Sequence, residues 1–327
     1  LLADRWGLGP GDRRVAIAAG AGAGLAAVYN VPLAGVVFAV LSLGAGRPAP
    51  APRGGRARGR AIDRVRTVAR AALPALRARD WLVVLVACGV ATVTAWTVLG
   101  SGRVYVLPGG ALDQGPPIAL VVWAVVAAPV AGVAAVALDT VARRAMARSP
   151  AGPVRTPLAT TGAMALVGLA AVWWPTLPGN GKGVIELTLG PPAAVRDGAL
   201  LAGAAPAGWT AAAAFVLLAG LKIALTGVCL RAGIVGGLLT PALAVGSALG
   251  AAAAVAATAA GVPASVPEWA LIGAAGVLAV SHRSAVFAAV MVWELTGLPW
   301  PVVALAAGTG GLARLGVRFG ARAAGRG

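Results

Sequence analysis

Charge-free apolar runs dominate the chain. Trp81 to Leu99, Ile118 to Leu138, Gly198 to Gly220 and Ala232 to Pro267 contain no Asp, Glu, Lys or Arg. Each is long enough to cross a bilayer, which takes about 20 helical residues. Leu158 to Trp174 is shorter and spans if its helix tilts or the bilayer thins around it. The apolar residues come in runs rather than in amphipathic periods, so these helices face lipid or protein on every side. The pattern predicts an all-α polytopic membrane protein, with residues 1–327 as one membrane domain and a basic loop at 45–79 inserted in it.

Within the apolar runs the helical pattern is interrupted. Gly233-Ile234-Val235-Gly236-Gly237-Leu238-Leu239-Thr240-Pro241 puts glycine-rich backbone inside a charge-free segment. Irregular backbone at membrane depth survives only where protein, water or a bound ion takes up its polar groups. Pro241 suits a first helical turn, so a helix restarts there with the positive end of its dipole pointing back at the glycines. An anion is the natural occupant of such a place. A second break is expected at Tyr29-Asn30-Val31-Pro32, where Asn30 is a good helix cap and Pro32 fits the first turn of Leu33 to Leu43. A third is expected at Ser281-His282-Arg283-Ser284-Ala285, between Gly273–Val280 and Val286–Thr296. An offset of 253 (285 − 32) sets Pro32 against Ala285 and Asn30 against Arg283. Repeats built from broken helices are a common way of forming ion sites in transporters.

The formal net charge is +17, yet it does not point to nucleic acid, because the arginines gather between apolar runs. Ten lie from Arg47 to Arg79, and a second group is Arg143, Arg144, Arg148 and Arg155. Two spans separate these groups, which places them on one side, cytoplasmic by the positive-inside rule. Arg314, Arg318, Arg322 and Arg326 put the C-terminus on the same side. The low-complexity stretch Arg47 to Arg60 reads as a solvated loop that can also touch anionic lipid headgroups. Cys88 and Cys229 lie in apolar runs and read as small core residues rather than a disulfide. Trp81, Trp173, Trp174 and Trp300 fit interfacial anchoring near span ends.

Four segments in order resemble the CLC family of chloride channels and chloride/proton exchangers. Gly24-Leu-Ala-Ala-Val-Tyr-Asn30-Val-Pro-Leu-Ala-Gly-Val-Val-Phe38 is similar to the family's G-L-A-A-x-F-N-A-P-L-A-G-x-x-F. Gly179-Asn180-Gly181-Lys182-Gly183-Val184-Ile185 resembles its glycine-rich loop ahead of a later helix. Lys222 followed by Gly236-Gly237-Leu238-Leu239-Thr240-Pro241 resembles the basic residue and the G-G-x-F-x-P anion motif. Val280-Ser281-His282-Arg283 to Trp293-Glu294-Leu295-Thr296 resembles the late R-A-P and L-E-x-T segment. The chain corresponds to the C-terminal two-thirds of a family member, with the serine loop and gating glutamate expected ahead of Leu1. The resemblance implies broken, tilted helices in an internal inverted repeat, a homodimer, and one pathway per subunit for chloride or a similar monovalent anion, located in the cell membrane. It implies anion contact by backbone amides at Gly237, Leu238 and Leu239, the last standing where the family has phenylalanine. In proton-exchanging members the segment matching Val36 to Leu43 ends in two acidic residues. Here those positions are Leu41 and Ser42, and the expected transport is therefore passive and uncoupled from protons, with a chloride/proton antiporter and a non-conducting membrane paralogue as the rival readings.

Single residues carry bland readings beside functional ones. Lys222 is one of two lysines, and it reads equally as a cation near an anion path or as a chain snorkelling to the interface. Glu294 reads as a structural residue near a helix end, with Arg283 or backbone as its partner. His282, the single histidine, reads as a loop residue. Three Glu, seven Asp and one His are scattered, so no catalytic or metal-binding constellation and no cofactor is expected.

Overall fold

The computed structural model describes residues 7, 9–45, 76–105, 107, 117–150, 152, 154–190, 200 and 207–324. Most of the basic loop at 45–79 lies outside them. The described residues form eleven helices and no strands. Contacts divide the chain into two compact units, Leu1–Val104 and Tyr105–Gly327.

The first unit holds α1 (Pro10–Tyr29), α2 (Pro32–Ala45) and α3 (Ala78–Leu99). Its core is made of small side chains, Ala18, Ala19, Ala26 and Ala39, closed by Leu43, Val84 and Cys88. Small residues are needed because α1 and α2 nearly touch: a Cβ on Gly35 would lie 2.6 Å from the Gly22 carbonyl oxygen. Membrane helices have no hydrophobic drive toward one another inside lipid, so such close approach is what holds them together. Asn30 has φ 51° and ψ 49°, and its N–H closes α1 by donating to the Ala26 carbonyl. Asparagine therefore ends the first helix, where the sequence suggested a cap for the second. An Asn tolerates the left-handed region better than most residues because its short amide bonds locally.

The second unit holds α4 (Ile118–Met146), α5 (Arg155–Trp173), α6 (Lys182–Leu189), α7 (Gly208–Arg231), α8 (Leu239–Ala259), α9 (Val266–Ser281), α10 (Ala285–Thr296) and α11 (Trp300–Ala324). The tightest pair is α8 on α9, where a Cβ on Gly246 would lie 2.6 Å from the Cα of Ala274 and would also meet the Gly273 carbonyl. Thr309 ties α11 to α4 through a 2.8 Å bond from its hydroxyl to the Ala124 carbonyl. Trp123 and Trp269 stack with ring centroids 5.2 Å apart, and Trp123 Nε1 donates to the Trp269 carbonyl at 3.0 Å.

Six of the helices are long and apolar enough to cross a membrane, while α2, α9 and α10 are shorter apolar helices. Three features differ from the sequence pattern. Helix α7 runs on through Lys222 to Arg231 instead of stopping at Gly220. Arg314 and Arg318 ride on the C-terminal half of α11 and not in a loop, where cations complement the negative helix end. Trp174 is buried, so its ring packs inside, whereas Trp173 and Trp300 are exposed as interfacial anchors should be.

Candidate anion site

Residues Ile234 to Gly237 are non-helical, and Leu239 opens α8. Gly233 makes the turn out of α7 with φ 90°, a conformation that glycine adopts without strain. Its N–H donates to the Leu230 carbonyl and that of Ile234 to the Cys229 carbonyl, both closing the end of α7. The next backbone bond along the chain runs from Ala242 N–H to the Leu238 carbonyl. No side chain caps α8. Among the described residues, the amides of Gly237, Leu238 and Leu239 donate to no protein acceptor. Uncapped first-turn amides and the positive helix end together form a half-charge aimed out of the N-terminus. Pro241 suits this place, since it sits in the first turn where its missing N–H deprives the helix of nothing.

Lys222 is 4% exposed in the middle of α7. It does not snorkel. Its Nζ donates to the Leu177 carbonyl at 2.9 Å and the Gly179 carbonyl at 2.8 Å. Both acceptors are neutral, and no carboxylate pairs with Lys222 among the described residues, so hydrogen bonds to carbonyls rather than an ion pair hold its head inside the protein. A buried unpaired charge costs too much to persist without such hydrogen bonds.

The glycine-rich loop brings Lys222 and the head of α8 together. Gly179 and Gly181 have φ 76° and 113°. A Cβ on Gly181 would lie 2.8 Å from Ala244 Cβ, 3.2 Å from the Thr240 carbonyl and 3.4 Å from Lys222 Cε. Gly181 is thus wedged between the lysine stem and the first turns of α8, a position closed to any side chain. Asn180 Oδ1 accepts from the Lys182 N–H at 3.1 Å and starts α6. Two segments that the sequence marked separately, Gly179–Ile185 and Lys222 with Gly236–Pro241, are one structure.

The remaining marked residues stand elsewhere. Ser42 lies on α2, and its hydroxyl donates to the Phe38 carbonyl at 2.8 Å, with Leu41 half-buried beside it. Arg283 sits between α9 and α10 with φ 56°, and the His282 ring packs on Phe287 with centroids 5.5 Å apart. Glu294 is in the last turn of α10 while Arg283 precedes its first. At about 1.5 Å of rise per residue these positions are roughly 16 Å apart, which rules out the pairing considered for them.

A family model described as "Voltage gated chloride channel" matches residues 1–44 and 71–313. The chain belongs to this family. The CLC fold also matches solved structures: a slow cyanobacterial Cl-/H+ antiporter, with TM-score 0.66 at 18% identity, covers 96% of this chain and 64% of its own. A CLC-type fluoride/proton antiporter, with TM-score 0.57 at 20% identity, covers 90% of this chain and 60% of its own. The chain therefore spans less than two-thirds of the length of either. No curated protein matches it.

The lysine's carbonyl partners escaped sequence reasoning. Lys222 and Gly179 are 43 residues apart, and only the fold shows that a loop carbonyl takes up the ammonium. The available signal was indirect, a lone lysine within an apolar run.

Proposed function

We propose that this CLC protein moves chloride or a similar small monovalent anion across the membrane, passively and without coupling to protons. The observation that supports anion transport is the set of uncapped Gly237–Leu239 amides at the positive end of α8, on a helix whose first two turns pack across Gly181 against the stem of buried Lys222. Partial charges at helix ends stabilise a partly dehydrated anion without trapping it, so that it can both enter and leave. The N–H groups at a helix N-terminus are donors and offer a cation nothing to coordinate. The change from the family's phenylalanine to Leu239 alters the side chain and leaves the donor in place.

The uncoupled reading rests on Leu41 and Ser42. Leucine holds no proton, and the serine hydroxyl is engaged with the Phe38 carbonyl. A chloride/proton exchanger is the second reading, favoured by the two solved relatives, both named as proton antiporters. The positive-inside rule, applied to the arginine-rich segments, supports loops and a C-terminus on the cytoplasmic side of the cell membrane. The family resemblance and the short apolar helices α2 and α10 support a homodimer.

In proteoliposomes, chloride should flow down its gradient while potassium does not. With a pH dye inside, an imposed chloride gradient should move no protons. Chloride-driven proton movement that persists with an uncoupler control would establish the exchanger instead, and equal potassium flux would end the anion reading. Native mass spectrometry in mild detergent should give twice the subunit mass, and a monomeric mass would refute the dimer.

A further inference from the structure

A cavity of about 740 Å³ opens among α4, α5 and α7. This falls within the range of about 300–1,000 Å³ usual for small-molecule sites. Its floor and walls are small and apolar, including Ala159, Ala224 and Val228, while Arg144, Arg148 and Arg231 line its rim. Arg144 is in the last turn of α4, Arg148 four residues further on, and Arg231 at the end of α7. Asp139, the nearby acid on α4, is engaged with Arg143 at 4.0 Å. Arg144, Arg148 and Arg231 have no carboxylate partner among the described residues, and Arg231 spends one donor on the Arg148 carbonyl. The α5 wall belongs to a helix with Leu158, Leu169 and Val172 more than half exposed, as expected of a helix that meets lipid. Three exposed arginines lining an apolar cleft beside a lipid-exposed helix match one chemistry, an anionic headgroup with attached acyl chains.

We propose that this cleft is a binding site for one anionic phospholipid, with the phosphate held by Arg144, Arg148 and Arg231 and an acyl chain lying along Ala159, Ala224 and Val228. A soluble anion would leave the apolar walls facing water. A zwitterionic lipid would bring an ammonium toward three guanidiniums. Gly237, Leu238 and Leu239 do not line this cleft, although the Leu238 side chain packs against a cluster that includes Ala145 of its wall.

The test is native mass spectrometry of the purified protein in mild detergent, titrated with phosphatidylglycerol or phosphatidylcholine. The account expects one phosphatidylglycerol retained per subunit, with a preference over phosphatidylcholine of at least about tenfold, given the additive attraction of basic residues for anionic lipid. The triple variant R144Q/R148Q/R231Q should lose that preference. A variant with the same charge removed elsewhere, R13Q/R14Q/R318Q, should keep it. Ala224→Phe fills the cleft and keeps every charge, and it should lower retention of phosphatidylglycerol about as far as the triple variant does. This second variant decides the matter if the triple variant does not fold. Equal retention of the two lipids, equal loss in the control variant, or full retention in Ala224→Phe would overturn the proposal. Displacement of the lipid by inorganic phosphate at matched ionic strength would also overturn it, by showing an anion site without a lipid.

Discussion

Asn30 and Arg283 lie 253 residues apart and share one backbone conformation, φ 51° and 56°, the two such non-glycine residues among those described. Each stands between a helix that ends and a short apolar helix that begins two residues later. What differs is how each break is held. At Asn30 the side chain is the clamp: its Nδ2 donates to the Ser101 and Gly102 carbonyls at 3.2 and 2.7 Å, and its Oδ1 accepts from Trp96 Nε1 at 2.6 Å. At Arg283 the side chain is exposed, and the next residue does the work. Ser284 is buried and its Oγ accepts from the Phe287 N–H at 3.1 Å, capping α10. Helix α2 needs less help, since it begins at Pro32, which has no N–H to satisfy. The same interruption is thus built once from a side chain reaching outward and once from a cap inside the new helix.

The largest effects should come from closing the glycine crossings beside each break. Gly22→Val would drive its side chain into the Gly35 carbonyl, and Gly246→Val into that of Gly273. Each should lower stability by at least about 3 kcal/mol, because backbone has to move. Thermal unfolding in detergent reads this, and a loss below about 1 kcal/mol at either site would show that the two regions are not packed alike. Next, Asn30→Leu should cost about 2–3 kcal/mol, combining the lost hydrogen bonds with left-handed strain on a branched side chain. Ser284→Ala should cost about 1 kcal/mol, the usual value of an N-cap. The sharpest contrast is the smallest: Arg283→Gly should leave stability unchanged or raise it by up to about 1 kcal/mol, since the backbone strain is relieved and what is given up is the attraction of an exposed charge for Asp139. Asn30→Gly should instead lose most of what Asn30→Leu loses. Equal responses from both glycine variants would erase the difference between the breaks.

Much of this was legible in the chain. The charge-free runs announced the spans, and the alignment of Asn30 with Arg283 pointed to equivalent breaks before any backbone angle was known. The glycines from Gly233 to Gly237 likewise announced the gap before α8. Other features depended on distant partners. Asn30 looks like an N-cap because local rules favour it there, yet the carbonyls of Ser101 and Gly102 hold it as a C-cap. Lys222 ended an apolar run on paper, while in the fold two carbonyls supplied by the Gly179 loop let α7 carry it through. Glu294 and Arg283 looked like partners until the length of α10 separated them. Arg144, Arg148 and Arg231 come from two helices, and nothing in their spacing marks a common cleft.

We propose above all that backbone amides at the head of α8 hold the transported anion. Replacing the Leu239 amide by an ester, through the corresponding hydroxy acid, deletes one N–H and leaves every side chain in place. Chloride uptake into proteoliposomes should then fall, with the apparent chloride affinity weakened about tenfold or more, as expected for one hydrogen bond to a charged group. An unchanged chloride affinity in a folded ester protein would contradict the account.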